Sequence, residues 1–215
     1  MQNWKYKGSA AAEEIEPTTY QPILISQGSM DIPQMGGGIR VVENTIYFYD
    51  DVTEDSMLEL NKTLLEVDLK LQNTRNILGE DAFTPIIHLH INTFGGSIFA
   101  AFSTVDTIRN LKSKVYTYAD GSVASAGTLL LAVGDKRFVG KHAHVLIHQL
   151  SSGFYGKFSE IEDEMYNLNN LMKLLKKFYK EHTKIPMKNL DALLKKDIWM
   201  EADECVRLGI VDEIK

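Results

Sequence analysis

Between residues 86 and 133 the hydrophobic pattern changes period repeatedly, and that repeat restricts the fold more than any other feature of the chain. Ile86 to Asn92 is a β-branched, apolar run suited to a strand, followed by the tight turn Phe94-Gly95-Gly96. Ile98, Ala101, Phe102, Val105 and Ile108 then recur on one face of a helix. The same order comes again: Lys114 to Ala119 as strand, Gly121 to Ala124 as turn, and Ser125 opening an apolar helix through Val133. Strand, helix, strand, helix predicts an α/β fold with a parallel sheet and right-handed crossovers.

The flanking segments fit one domain. Residues 1–38 mix Ala, Glu, Thr, Gln and Gly and end in Met35-Gly36-Gly37-Gly38, a composition expected of a flexible N-terminal arm. The folded domain is expected over residues 39–215. Thr45 to Tyr49 is a β-branched and aromatic strand, and Met57, Leu60, Leu64, Val67 and Leu71 predict an amphipathic helix over residues 54–73, capped by Thr53. A strand is expected to end at His148. From Phe158 to His182, the positions Phe158, Ile161, Met165, Leu168, Met172, Leu175, Tyr179 and His182 alternate spacings of three and four. A helix of about seven turns is too long for this domain to cover, so a subunit interface is expected along it. A short helix begins at Pro186, and a last helix, Glu201 to Leu208, is stopped by Gly209.

Composition excludes several classes. The formal charge of −6, with acidic and basic residues interspersed, offers no basic stripe for nucleic acid. No apolar run is long enough for a membrane span, and no signal-peptide core stands near the start. Cys205 is the single cysteine, so no internal disulfide forms, and a cytoplasmic home is expected. Packing is the expected role of Cys205. His88 with His90, and His142 with His144, stand two apart and would share strand faces, but no third ligand completes a site, so no metal is expected.

The residue that points to chemistry is Ser125, in Gly121-Ser122-Val123-Ala124-Ser125-Ala126-Gly127. A hydroxyl between a buried strand and a helix start lies beside free backbone N–H groups that can stabilise an oxyanion, which favours acyl transfer. A serine in that position is most often a cap, so it needs a base to mean more. The Gly-x-Ser-x-Gly elbow is disfavoured because Val123 takes the place of its first glycine. Ser122, a second candidate, precedes the helix and would point away from the donors at Ala126.

Four segments together resemble the proteolytic subunits of the ATP-dependent Clp protease. They are Ile91-Asn92-Thr93-Phe94-Gly95-Gly96-Ser97, Gly121 to Gly127, Val145-Leu146-Ile147-His148-Gln149, and Lys195-Lys196-Asp197 with Glu204 to Asp212. The resemblance implies a serine endopeptidase in which Ser125 attacks the scissile carbonyl, His148 takes its proton and Asp197 orients the imidazole. The backbone N–H groups of Gly96 and Ala126 would form the oxyanion hole. It further implies a crotonase-like α/β fold of stacked β-β-α units, with residues 158–182 projecting as a handle. Assembly into a homo-oligomer of two stacked heptameric rings is expected, fed with peptides and unfolded proteins by an AAA+ Clp unfoldase. The chain has no Gly-x-x-x-x-Gly-Lys motif of its own, and no cofactor is implied. In the surface pocket where the family receives unfoldase loops on aromatic side chains, the matching positions are His88, His90 and Asn110. Two other classes share parts of the pattern: a crotonase-fold enzyme acting on an acyl-thioester, and a non-proteolytic ring subunit.

Overall fold

Strand β3 (Ile86–Thr93) alternates without a break, with Ile87, Leu89, Ile91 and Thr93 buried and the residues between them half-exposed. A strand with this pattern must cover one face with helices, and it organises the rest of the molecule. In the computed structural model, which describes residues 38–215, β3 lies inside a seven-stranded sheet. β2 (Thr45–Tyr49) pairs parallel to it on one side and β4 (Lys114–Ala124) parallel on the other. β4 is flanked in turn by β5 (Lys136–Val139), beyond which lies β7 (Glu213–Ile214), all parallel. The expected parallel sheet is therefore present.

A strand that the sequence did not announce, β1 (Gly38–Val42), closes the far edge, antiparallel to β2. Its residues are half-buried or exposed, so it lacks the apolar alternation by which a strand is recognised. Gly38 is its first residue; the rest of the arm expected over residues 1–38 lies outside the described residues.

Helix α1 (Glu54–Leu78) buries Met57, Leu60, Leu64 and Val67, and α2 (Ile98–Asn110) buries Ala101, Val105 and Ile108, into one continuous core with the sheet. Thr53 caps α1 as expected: its hydroxyl accepts from the Ser56 amide, while Ser56 Oγ accepts from the Thr53 amide. The helix runs past the expected residue 73 because its last turns face solvent and carry no apolar seam that could mark their extent.

The largest departure from the sequence reading is in β4. Gly121 to Ala124, expected as a turn, continues the strand: Ser122, Val123 and Ala124 pair with β6 (His144–Leu146). Between Ala119 and Val123, β4 advances four residues while β3 advances two, from Ile91 to Thr93, and Gly121 takes a φ of 64° within that irregularity. The glycine serves a kink inside a strand rather than its end. α3 (Gly127–Ala132) then starts two residues later than Ser125, and every one of its residues is buried.

Helix α4 (Phe158–His182) has the bounds expected, but its seam divides. Leu175 and Tyr179 belong to the core of their own chain, whereas Phe158, Ile161 and Met165 are exposed. The short helices α5 (Met187–Leu193) and α6 (Ala202–Arg207) lead into β7. Among the described residues no helix is long and apolar enough to cross a membrane. His142 lies in a turn before β6, so it does not share a strand face with His144 as expected, and no group of three or more His, Cys, Asp or Glu among the described residues is placed to hold a metal ion.

Candidate active site

Ser125 is the hinge between β4 and α3, and its φ of 53° places it in the left-handed region that L-residues with a Cβ avoid. Three contacts hold it there. Its amide donates to Leu146 O at 2.9 Å, its carbonyl accepts from the Thr128 hydroxyl at 2.6 Å, and it accepts again from the Thr128 amide at 3.0 Å. Thr128 Oγ1 is in turn 2.5 Å from the Tyr179 hydroxyl. The Thr128 proton is used on Ser125, so Tyr179 donates; burial pushes its phenol upward and keeps that proton in place. Nothing in the seam pattern distinguishes Tyr179 from its apolar neighbours, so the sequence does not announce this role. The geometry around Ser125 is a sharp strand-to-helix turn even though the sequence lacks the glycine by which such elbows are recognised.

The Gly95-Gly96 turn packs against this hinge. A Cβ on Gly95 would stand 2.6 Å from Ser125 Cβ, and one on Gly96 would stand 2.2 Å from Val52 O, so neither position tolerates a side chain. Their φ values, 100° and 145°, demand glycine for a second reason. Val52 accepts from the Ser97 amide and donates to Gly95 O, which pins the turn to the segment between β2 and α1. Among the described residues, no acceptor receives the amides of Gly96 or Ala126.

His148 is brought to the same place by β6. Ser125 bonds to Leu146, and His148 follows two residues on, in an irregular segment just past the end of β6. That segment is stitched to the chain carrying Asp197 at two points: Val145 and Met200 exchange backbone bonds of 3.0 and 2.8 Å, and the Gln149 amide donates to Leu194 O at 2.7 Å. Between those points His148 Nδ1 lies 2.8 Å from Asp197 Oδ1. A carboxylate only accepts, so Nδ1 carries the proton and Nε2 is left as the acceptor. Asp197 is 79% exposed and His148 28% exposed. No hydrogen bond joins the Ser125 hydroxyl to His148 among the described residues. Ser125, His148, Gly96 and Ala126 nevertheless line a single cavity of about 290 Å³, whose apolar walls come from α2, α3 and α4. Ser122, the alternative nucleophile, donates its hydroxyl to Asn92 Oδ1 at 3.0 Å and does not line this cavity.

His88 and His90 lie on the other face of the sheet. His90 stacks on Tyr118 at 4.3 Å, Tyr118 stacks on Phe138 at 4.7 Å, and Asp120 accepts from both His90 and Tyr49. Burial alone would raise the Asp120 carboxyl, but those hydrogen bonds hold it below the usual range. The face is thus still aromatic, through rings that β4 and β5 supply. Asn110, at the end of α2, donates to Asp106 O, and no hydrogen bond or ring contact links it to the two histidines among the described residues. Cys205 is buried, and its thiol is pushed up to about 12 by that burial, which makes it a packing residue.

A serine in a strained turn that shares a cavity with an imidazole held by a carboxylate, beside two backbone amides that no acceptor among the described residues receives, is chemically equipped for acyl transfer. Over residues 43–215 the sequence matches the Clp protease family. The chain belongs to that family, and membership supports a Clp-type serine peptidase.

Proposed function

We propose that the protein is the proteolytic subunit of a self-compartmentalised Clp-type protease, a serine endopeptidase that cleaves peptides and unfolded chains. The observation that carries this reading is the 2.8 Å pairing of His148 with Asp197 beside a cavity that Ser125 shares. In the reaction, His148 Nε2 takes the Ser125 proton as Oγ bonds to the scissile carbonyl carbon. The carbonyl oxygen gains the displaced electron pair and is stabilised by the amides of Gly96 and Ala126. His148 then gives its proton to the departing amine as the peptide C–N bond breaks, leaving an acyl-serine. Water, deprotonated by His148, attacks that ester; the bond from the carbonyl carbon to Ser125 Oγ then breaks, His148 returns the proton to Oγ, and the second product leaves as the acid. Asp197 holds the imidazole tautomer and stabilises its charged form throughout.

Family resemblance supports the rest: a crotonase-like arrangement of β-β-α units, α4 as a handle between two stacked heptameric rings, a cytoplasmic site of action, and delivery of substrates by an AAA+ unfoldase. A crotonase-type thioester reaction would use the Gly96 and Ala126 amides but leave the His148–Asp197 pair without a task. A fluorogenic peptide assay and labelling by a fluorophosphonate, each with the wild type and with Ser125→Ala, test the assignment. The variant should lose the label entirely and at least about 10³-fold in kcat/KM. Cleavage by Ser125→Ala near the wild-type rate would sink it.

A further inference from the structure

We propose that Glu164 makes the cleft selective for a basic side chain, lysine or arginine, beside the bond that is cleaved. The inference rests on the peptidase reading above and deepens it. Glu164 stands on α4 one turn before Leu168 and two turns before Leu171, so the three share a helix face, and all three line the cavity that holds Ser125. Leu129 on α3 and Ile98 on α2 supply facing apolar walls. Glu164 is the one carboxylate in that lining. A side chain entering along these leucines therefore passes an apolar wall and meets an anion. Lysine and arginine match that sequence of surfaces, because their aliphatic stems pack on apolar groups while the charge reaches a carboxylate.

The carboxylate is positioned but not neutralised. Ser152 donates its hydroxyl to Glu164 Oε1 at 3.2 Å, which fixes the side chain from the loop after His148. A neutral donor uses one of about four acceptor positions, and no Lys, Arg or His of the described residues pairs with Glu164. The site is half-buried, so a substrate cation placed there is shielded from bulk water more than at an open surface. A substrate glutamate would meet repulsion in the same place.

The test is a panel of fluorogenic peptides identical except at the residue on the acyl side of the cleaved bond, which is arginine, lysine, glutamine, norleucine or glutamate. Wild-type kcat/KM for the basic peptides should exceed that for glutamine by about 10- to 100-fold, the range of a charge-assisted contact, and the ratio should shrink as salt is raised. In Glu164→Gln the basic-to-glutamine ratio should approach one, and in Glu164→Lys the glutamate peptide should overtake the arginine peptide. An unchanged ratio in Glu164→Gln overturns the inference. So does a wild-type panel with no basic preference and no salt dependence, which also decides the matter should the variants fail to assemble. Ser125-dependent cleavage without basic preference removes this inference alone; no cleavage of any peptide removes the peptidase reading with it.

Discussion

The left-handed backbone at Ser125 is a strained conformation that costs about 1–3 kcal/mol, and the residues packed around it have no room to yield. Gly127 shows this most sharply, because a Cβ there would stand 2.2 Å from Thr93 Cγ2. Thr93 is buried at the end of β3, and its Oγ1 accepts from the Gly95 amide at 3.1 Å, so pushing it aside would drag the glycine turn that abuts Ser125. Gly127→Ala should therefore destabilise the fold by about 1–3 kcal/mol and lower peptide cleavage with it. Thr93→Ser removes the clashing methyl and keeps the hydroxyl, and the double variant should regain most of both losses. Melting curves and kcat/KM for the two single variants and the double variant check this. A double variant no better than Gly127→Ala would show that the Thr93 methyl is not what excludes a side chain.

At the scale of elements, what was legible in the sequence follows from burial. Helices α1 and α2 each bury one stripe, so their apolar residues recur at helical spacing and announce them, and α4 keeps that spacing along its length although only its second half reaches the core. β1 buries no alternating face and so carries no strand signal, while Gly121 reads as a turn because glycine marks positive φ without saying whether the strand resumes. The candidate site was legible chiefly through the family resemblance, since Ser125, His148 and Asp197 lie on segments far apart in sequence that only β6 and its backbone links to Leu194 and Met200 bring together. One element junction carries a pH-dependent contribution that the sequence did not suggest. Asp68 on α1 is buried, which alone would raise its carboxyl, but hydrogen bonds from Ser113, from the Lys112 backbone and from Gln72 outweigh burial and hold it below the ordinary range. A depressed folded-state value means that this stabilisation is complete above the unfolded value near about 3.9 and is lost as pH falls through the folded one, because the unfolded chain binds the proton first. Asp68→Asn should lower stability at neutral pH by about 1–3 kcal/mol and flatten the acid limb of melting temperature between about pH 5 and pH 2. An acid limb as steep as wild type would assign the effect to other carboxylates.

For the whole molecule, the division of α4 decides how assembly should be tested. Leu175 is 4% exposed and Tyr179 1%, so a charge at either would unfold the subunit before it said anything about partners. Phe158 at 76%, Ile161 at 43%, Met165 at 55% and Tyr166 at 68% exposure lie on the first half of the same helix, and Phe154 and Tyr155 extend the apolar surface before it. A concentration of large apolar side chains on one helix segment is more than a monomer ordinarily leaves in water. A second copy of the helix supplies matching surface, since isologous contacts pair one patch with itself. Ile161→Glu with Met165→Glu should therefore leave the subunit folded, because neither side chain belongs to its core, yet place like charges against each other across a two-fold contact, where desolvation adds to repulsion. Sedimentation velocity should show the large species replaced by one of half its mass or less, with unchanged far-ultraviolet circular dichroism. Peptide cleavage should fall in parallel if the second ring is needed to hold the loop of Ser151 and Ser152 over the active site, which runs from His148 directly into α4. An unaltered sedimentation profile would mean that these apolar side chains meet some surface other than their own counterpart, and the handle assignment would be abandoned.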